Sequence, residues 1–220
     1  MGVERIAHPL DVAASRLVAW AWERTTHYGA VSPGRRSAAR FLSLGEGSVI
    51  GFPAVALVGE DRTVIGQGCV IGPYATLCAG LPGQPPRPQG EAPRLVIGDR
   101  CWLGRGLVVN AHARITIGDD VWTGANVFVS DANHGWSDAD QPIGRQFGTI
   151  GPVAIGAGSW LGHGVLVLPG ASIGRRCVIG AGAVVRGDIP DGSIAVGVPA
   201  RVVGRVDDDD DVHAVGPSVA

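Results

Sequence analysis

Large aliphatic residues recur every six positions along much of the chain. Between residues 155 and 185 the recurrence is nearly unbroken, with Ile155, Leu161, Val167, Ile173, Ile179 and Val185 as anchors. Four residues after the anchors stand Ser159, Val165, Ala171, Cys177, Ala183 and Ile189, all but the last small or modest in size. Glycine follows the anchor directly at Gly156, Gly162, Gly174 and Gly180, and returns three residues after it at Gly158, Gly164, Gly170 and Gly182. The same spacing links Ile65, Ile71 and Leu77, and then Ile97, Leu103, Val109 and Ile115. A shift of two residues restarts it at Ile117, Thr123 and Val129, and Leu44 and Ile50 open the series.

A period of six fits no helix, and glycines this frequent would cost a helix about 1 kcal/mol each. It fits a short strand followed by a sharp corner. The large anchor points inward, the smaller residue faces in where the corner leaves less room, and glycine supplies the positive φ a tight corner requires. Three such units close a triangular coil, and stacked coils bury each other's apolar faces. The pattern therefore predicts an all-β protein, a parallel β-helix. A β-sandwich or barrel would show strands of period two and varied length.

Three segments break the repeat. Residues 8–27 place Leu10, Ala13, Ala14, Leu17, Val18 and Ala21 at helical spacing, with Trp20 and Trp22 near the end. This N-terminal helix is expected to pack across one end of the coil stack as a cap, with a membrane interface as the alternative. Residues 78–93 form a Pro-rich insertion, and residues 135–149 a second one that leaves the coil just after His134. The expected organisation is a helical capping segment over 1–43, a β-helix over 44–204 and an acidic tail over 205–220. The run Asp207 to Asp211 in that tail reads as solvated and disordered.

Composition narrows the function classes. Glycine reaches 35 of 220 residues and proline 15, yet 45% of the chain is hydrophobic, which favours many short strands over disorder. The net charge of −2 gives no reason to expect nucleic acid as a partner. Cys69, Cys78, Cys101 and Cys177 make no C-x-x-C pair, against a zinc ribbon or a thioredoxin-like site. Asp11, Arg16, Glu23 and Arg24 interrupt any signal peptide, and no apolar run is long enough to span a bilayer. The expectation is a reducing, cytoplasmic setting without membrane insertion.

The stretches "ITIGDDVWTGANVFVSDANHGW", "QPIGRQFGTIGPVAIGAGSWLGHGVLVLPGASIG" and "VIGAGAVVRGDIP…AVGVPARVVG" resemble the hexapeptide-repeat acyltransferases. The branch they match holds the maltose, galactoside and nodulation-type O-acetyltransferases. The resemblance covers residues 95–204, and 44–77 more loosely. It implies a left-handed β-helix and a homotrimer with active sites between neighbouring subunits. It implies acetyl-CoA as cosubstrate, no required metal, and a small-molecule acceptor such as a carbohydrate.

Acyl transfer from a thioester requires that an acceptor hydroxyl or amine lose its proton as it attacks the carbonyl. A histidine suits that task, with an unperturbed pKa near 6.5. His134 stands at the start of the polar loop "DANHGWSDAD" and matches the family's catalytic base; the plainer reading is a surface histidine. Asn110 matches an Asn that hydrogen-bonds the acceptor, or is simply a corner Asn. Asp131 either orients the imidazole or serves as a turn residue.

For the cosubstrate, Trp160 matches an aromatic near the CoA arm, or packs a subunit interface. Gly162 and Ala181 match main-chain contacts to the pantetheine, and His163 lines the groove. Arg201 matches a basic residue near the CoA phosphates. Relatives often carry Thr-Lys where this chain has Arg186-Gly187, so Arg186 is the candidate substitute for the lysine. Cys69, Cys101 and Cys177 fall on inward positions, which disfavours a covalent cysteine route. Two other readings compete. A γ-class carbonic anhydrase would need His112, His134 and His163 to converge, although they occupy different positions in their hexads and the H-x4-H spacing is absent. A non-catalytic scaffold would bind no CoA. The acceptor itself, among sugars, glycolipid precursors, amino alcohols and antibiotics, would be selected by the two insertions.

Overall fold

The structure, a computed structural model, describes residues 9–207. Three parallel sheets form the sides of a triangular coil stack, and the chain visits them in strict rotation. Among the described residues the first sheet has seven strands, from Ser43–Leu44 to Asp188–Ile189. The second runs from Val49–Ile50 to Ser193–Val196 and is closed by Arg201–Arg205, which pairs antiparallel with Ser193–Val196. The third runs from Ala56–Val58 to Val184–Val185.

Neighbouring coils stack in register. Ile97, Ile117, Ile155 and Ile173 align on the first sheet, and Val109, Val129, Val167 and Val185 on the third. These anchors form one continuous core; Leu103, Val109, Leu161, Val167, Ile179 and Val185 are wholly buried. Burying each such side chain contributes roughly 1.5–3 kcal/mol. The smaller inward positions are filled as expected by Val165, Ala171, Cys177 and Ala183. Where a polar residue stands there it is satisfied: the Ser159 hydroxyl donates to the Gly174 carbonyl at 2.9 Å and accepts from the Cys177 N–H at 3.0 Å.

The two-residue shift after Ile115 has a simple cause. Ile115 and Ile117 both point inward on the one strand Ile115–Ile117, and the corner before it, His112 to Arg114, is widened. Glycines divide into two kinds. Gly158 and Gly164 adopt φ of 70° and 66° at corners. Those directly after an anchor, together with Gly118 in the same corner geometry, are needed for close stacking instead. A Cβ on Gly118 would lie 2.6 Å from the Ala157 nitrogen and 2.9 Å from its Cα. Gly118→Ala is therefore expected to lower stability by about 1–3 kcal/mol through overpacking. Gly187→Ala, with no atom near the added Cβ and an ordinary φ, should cost nothing or add a few tenths of a kcal/mol. Paired thermal melts check both.

The N-terminal helix α1 spans Pro9–Gly29, two residues further than the hydrophobic pattern marked; His8 lies outside the described residues. Arg35 ties down its C-terminal end, donating to the carbonyls of His27 and Ala30. The helix does not lie across the coil stack. Leu17, Val18, Trp20 and Trp22 are all more than half exposed. The first coil is instead covered by the segment that follows, with Val31 bridged to Ile50 and Phe41 buried. An apolar helical stripe signals that a face can be covered; it does not say by what. Among the described residues no helix is long and apolar enough to cross a membrane.

Both insertions leave the same corner, between the third sheet and the first, with two coils between them. The first begins later than expected, because Cys78 and Ala79 belong to the strand Thr76–Ala79. It is pinned to the coil edge: Arg62 donates to the Pro85 carbonyl at 2.7 Å and Asp61 accepts from the Arg87 N–H at 2.5 Å. The second begins earlier than expected, at Asp131. At the C-terminal end, the closing strand carries order past residue 204, and Asp207 pairs with Arg176 at 2.9 Å. Residues 208–211 of the acidic run lie outside the described residues.

Candidate active site

His134 does not sit at the end of a coil strand. The chain leaves the third sheet after Phe128–Ser130 and forms a separate antiparallel ladder, Ala132–His134 against Phe147–Ile150. His134 pairs with Phe147 at the rim of this hairpin and is exposed. The two strands approach closely because residue 148 is glycine. A Cβ there would sit 2.4 Å from the Asn133 carbonyl oxygen and 2.5 Å from the His134 carbonyl carbon.

The loop of this hairpin is braced by Gln146. Its side-chain amide donates to the carbonyls of Asp138 at 2.7 Å and Gln141 at 2.9 Å, while its Oε1 accepts from the Asp138 N–H at 3.1 Å. Its main-chain carbonyl accepts from the Gly135 N–H at 3.0 Å. One residue thus fixes the chain on both sides of the loop. Gln146→Ala removes three side-chain hydrogen bonds, each worth about 0.5–1.5 kcal/mol. Amide exchange over residues 135–141 is expected to speed up about 10-fold to 100-fold, with the coil stack unaffected. Hydrogen-exchange mass spectrometry reads this directly.

A cavity of about 460 Å³ opens beside His134, lined by Asn133, His134, Gly135, Trp136, Ser137, Gly148 and Thr149. Of the residues singled out by sequence, only His134 lines it. Asn110 faces outward on the third sheet, in register with Cys78 and Ser130. Asp131 is fully buried and accepts hydrogen bonds from the main-chain N–H groups of His112, Ala113 and Arg114 at 2.7, 2.8 and 2.7 Å. It thus secures the widened corner, and no hydrogen bond joins it to His134 among the described residues. Trp136, Asn133 and Thr149 were not anticipated. The only sequence signal for them was adjacency to His134, or return across the hairpin.

The residues expected to hold the cosubstrate fall into groups. Gly162, His163 and Ala181 share the corner between the second and third sheets. A Cβ on Gly162 would lie 2.6 Å from the Ala181 nitrogen, so these turns stack with nothing between them. The main-chain N–H groups of His163 and Ala181 take no backbone acceptor among the described residues. Trp160 projects outward from the second sheet in register with Trp122 and Trp102, and all three indoles are half exposed. Arg186 is exposed on the same corner that releases the His134 hairpin, two coils on. Arg201 opens the closing strand and is also exposed. Within one chain, then, the His134 cavity and the Gly162–Ala181 corner occupy different edges of the prism.

The thiols are poorly placed for covalent catalysis. Cys69, Cys101 and Cys177 are buried. The neighbouring Cys69 and Cys101 thiols shift each other in opposite directions, Cys69 down and Cys101 up, but neither sulfur is open to a substrate. Burial pushes the half-buried Cys78 thiol up as well. The histidines do not gather either. His112 lies against Asp131, its Nδ1 3.5 Å from the carboxylate. His163 is at the other corner, and among the described residues no three His, Cys, Asp or Glu side chains form a cluster able to hold a metal.

The coil sequence matches known proteins on both sides of the hairpin. The family described as bacterial transferase hexapeptide (six repeats) matches residues 152–187, and the hexapeptide repeat of succinyl-transferase matches residues 94–131. The galactoside O-acetyltransferase of Escherichia coli is 32% identical over 137 residues, covering 62% of this chain and 66% of that protein. The chain belongs to the hexapeptide-repeat acyltransferase family. Within that family it is also similar to a Mycobacterium tuberculosis protein named a probable acetyltransferase. Those two are 48% identical over 109 residues, covering 50% of this chain and 36% of the other. This hexapeptide-repeat protein spans about half the length of the curated relatives it matches. Its fold is shared by an N-acyltransferase from Bacillus cereus solved with dTDP and coenzyme A. The TM-score is 0.64 at 18% identity, over 80% of this chain and 90% of that one.

Proposed function

We propose that this protein transfers an acyl group, acetyl in the first instance, from CoA to a hydroxyl or amine of a small acceptor, with His134 as general base. The observation that carries this reading is the exposed imidazole on a braced hairpin, opening on a cavity, in a chain of the hexapeptide-repeat acyltransferase family. In the reaction, the imidazole takes the acceptor's proton as its oxygen or nitrogen attacks the thioester carbonyl. The tetrahedral intermediate then collapses with cleavage of the C–S bond, and the imidazolium returns the proton to the leaving CoA sulfur. Asn110 would hydrogen-bond the acceptor. The free N–H groups of His163 and Ala181, with Gly162, would receive the pantetheine arm, Trp160 would wall it, and Arg186 and Arg201 would meet the phosphates.

The same reading makes the stack a left-handed β-helix and the protein a homotrimer with a site between subunits. Two observations support the trimer. The base and the pantetheine corner lie on different edges of one prism, so a neighbouring subunit is needed to join them. The outward face of the second sheet carries Val70, Trp102, Trp122, Trp160 and Val178 in one column, an apolar seam that a subunit would cover. Free buried thiols and a CoA thioester fit a cytoplasmic setting. The galactoside-acetylating relative supports a small carbohydrate acceptor. A metal-centred reaction on His112, His134 and His163 has no such support, since among the described residues these side chains do not gather into a cluster. Release of CoA thiol from acetyl-CoA, measured across sugar, amino-alcohol and amine acceptors, tests the proposal; no release with any acceptor and no CoA binding would leave a scaffold.

A further inference from the structure

Trp136 is the most exposed large hydrophobic side chain among the described residues, at 75%. It stands two residues from His134, and both line the same cavity. An indole left in water exposes a large, flat apolar face, and such faces at polar rims mark binding surfaces. The loop that carries it is not slack, because Gln146 holds that loop at Asp138, Gln141 and Gly135. The remaining lining is polar or main chain: the Asn133 amide, the Ser137 and Thr149 hydroxyls, and two glycines. The cavity therefore offers one flat apolar wall, a set of hydrogen-bonding groups and a base.

We infer that Trp136 is the acceptor platform of the His134 cavity and selects ring-shaped acceptors with one apolar face, pyranosides above open-chain alcohols and amines. A pyranoside presents a C–H face to the indole and hydroxyl groups around its rim to Asn133, Ser137 and Thr149. It also brings one hydroxyl to the imidazole. An open-chain amino alcohol has the hydroxyl and lacks the face, so it gains nothing from the indole. A cavity of about 460 Å³ falls in the range of small-ligand sites. The assignment rests on the acyl-transfer reading for its chemistry, although the platform itself is a binding property.

The test compares wild type, Trp136→Ala, Trp136→Phe and His134→Ala as full chains. Saturation-transfer NMR with methyl β-galactopyranoside and methyl α-glucopyranoside reads binding without turnover. Thiol release from acetyl-CoA, with the same pyranosides and with 2-aminoethanol, reads transfer. In Trp136→Ala the ratio of kcat/KM for pyranoside over 2-aminoethanol is expected to fall about tenfold, which corresponds to loss of about 1.4 kcal/mol of stacking. The pyranoside NMR signal should weaken in parallel, and Trp136→Phe should recover most of both. His134→Ala should slow transfer by about 10²–10⁴-fold and keep the NMR signal. An unchanged ratio, an equal loss for all acceptors, no pyranoside signal with wild type, or a change in oligomer mass on losing the indole overturns the platform. Indole-dependent pyranoside binding without any thiol release would instead overturn acyl transfer and leave the platform standing.

Discussion

Replacing His134 with alanine is expected to lower kcat for acyl transfer by about 10²–10⁴-fold, the contribution of a positioned general base. Acetyl-CoA binding should persist, because the residues proposed to hold the cosubstrate stand on other elements of the stack. The fold should persist as well: the ring is exposed and packs into no core, and the hairpin is held by main-chain pairing and by Gln146. Thiol-release kinetics at saturating acetyl-CoA, with calorimetric CoA titration of the same variant, separate the two effects. A fall in kcat with CoA affinity retained marks a group used in the chemical step. A variant that turns over at the wild-type rate would remove His134 from the reaction, and one that loses CoA affinity and rate together would make it a binding residue.

The sequence carried the coil stack almost completely, for a physical reason. Each inward position is decided locally, by one large residue per strand and one small residue per corner, so Ile155 to Val185 announce themselves without reference to anything distant. Ser159 fits the same logic as a small inward residue at a corner, whereas Thr123 takes an anchor's place on a strand; the hydroxyls of both are satisfied across one coil step. What was not legible depends on partners that the local pattern does not name. The Ala132–His134 strand looks like the end of a coil until Phe147–Ile150 returns to pair with it. The apolar stripe of α1 predicts burial, yet the segment around Val31 and Phe41 covers the first coil instead. Trp136 has no periodicity, and only the cavity it shares with His134 marks it. Asp131 was open between orienting the base and making a turn; the three N–H groups it accepts explain its burial without reference to His134.

Those three bonds also set the second large effect. Asp131 stands where the chain leaves the coil for the hairpin that carries His134. Its carboxylate is sealed from water and holds the widened corner at His112, Ala113 and Arg114, while its main-chain carbonyl accepts from the Gly151 N–H at 2.9 Å, where the chain returns to the stack. Asp131→Ala strands three donors. Hydrogen bonds to a charged group are worth about 1.5–3 kcal/mol each, and relief of the buried charge and entry of water offset part of that. The expected net loss is about 3 kcal/mol, or roughly 6–12 °C in Tm for a domain of this size. Asp131→Asn keeps one carbonyl acceptor and turns the other position into a donor facing donors, so it should lose nearly as much despite its identical shape. Differential scanning calorimetry of both variants decides the matter. A shift of under about 2 °C in either would mean that the corner holds itself and that the carboxylate is not what shapes it. If the full loss is seen, amide exchange in the Ala132–Ile150 hairpin should rise more than exchange in the distal coils, because one side chain joins the hairpin that carries His134 to the coil beneath it.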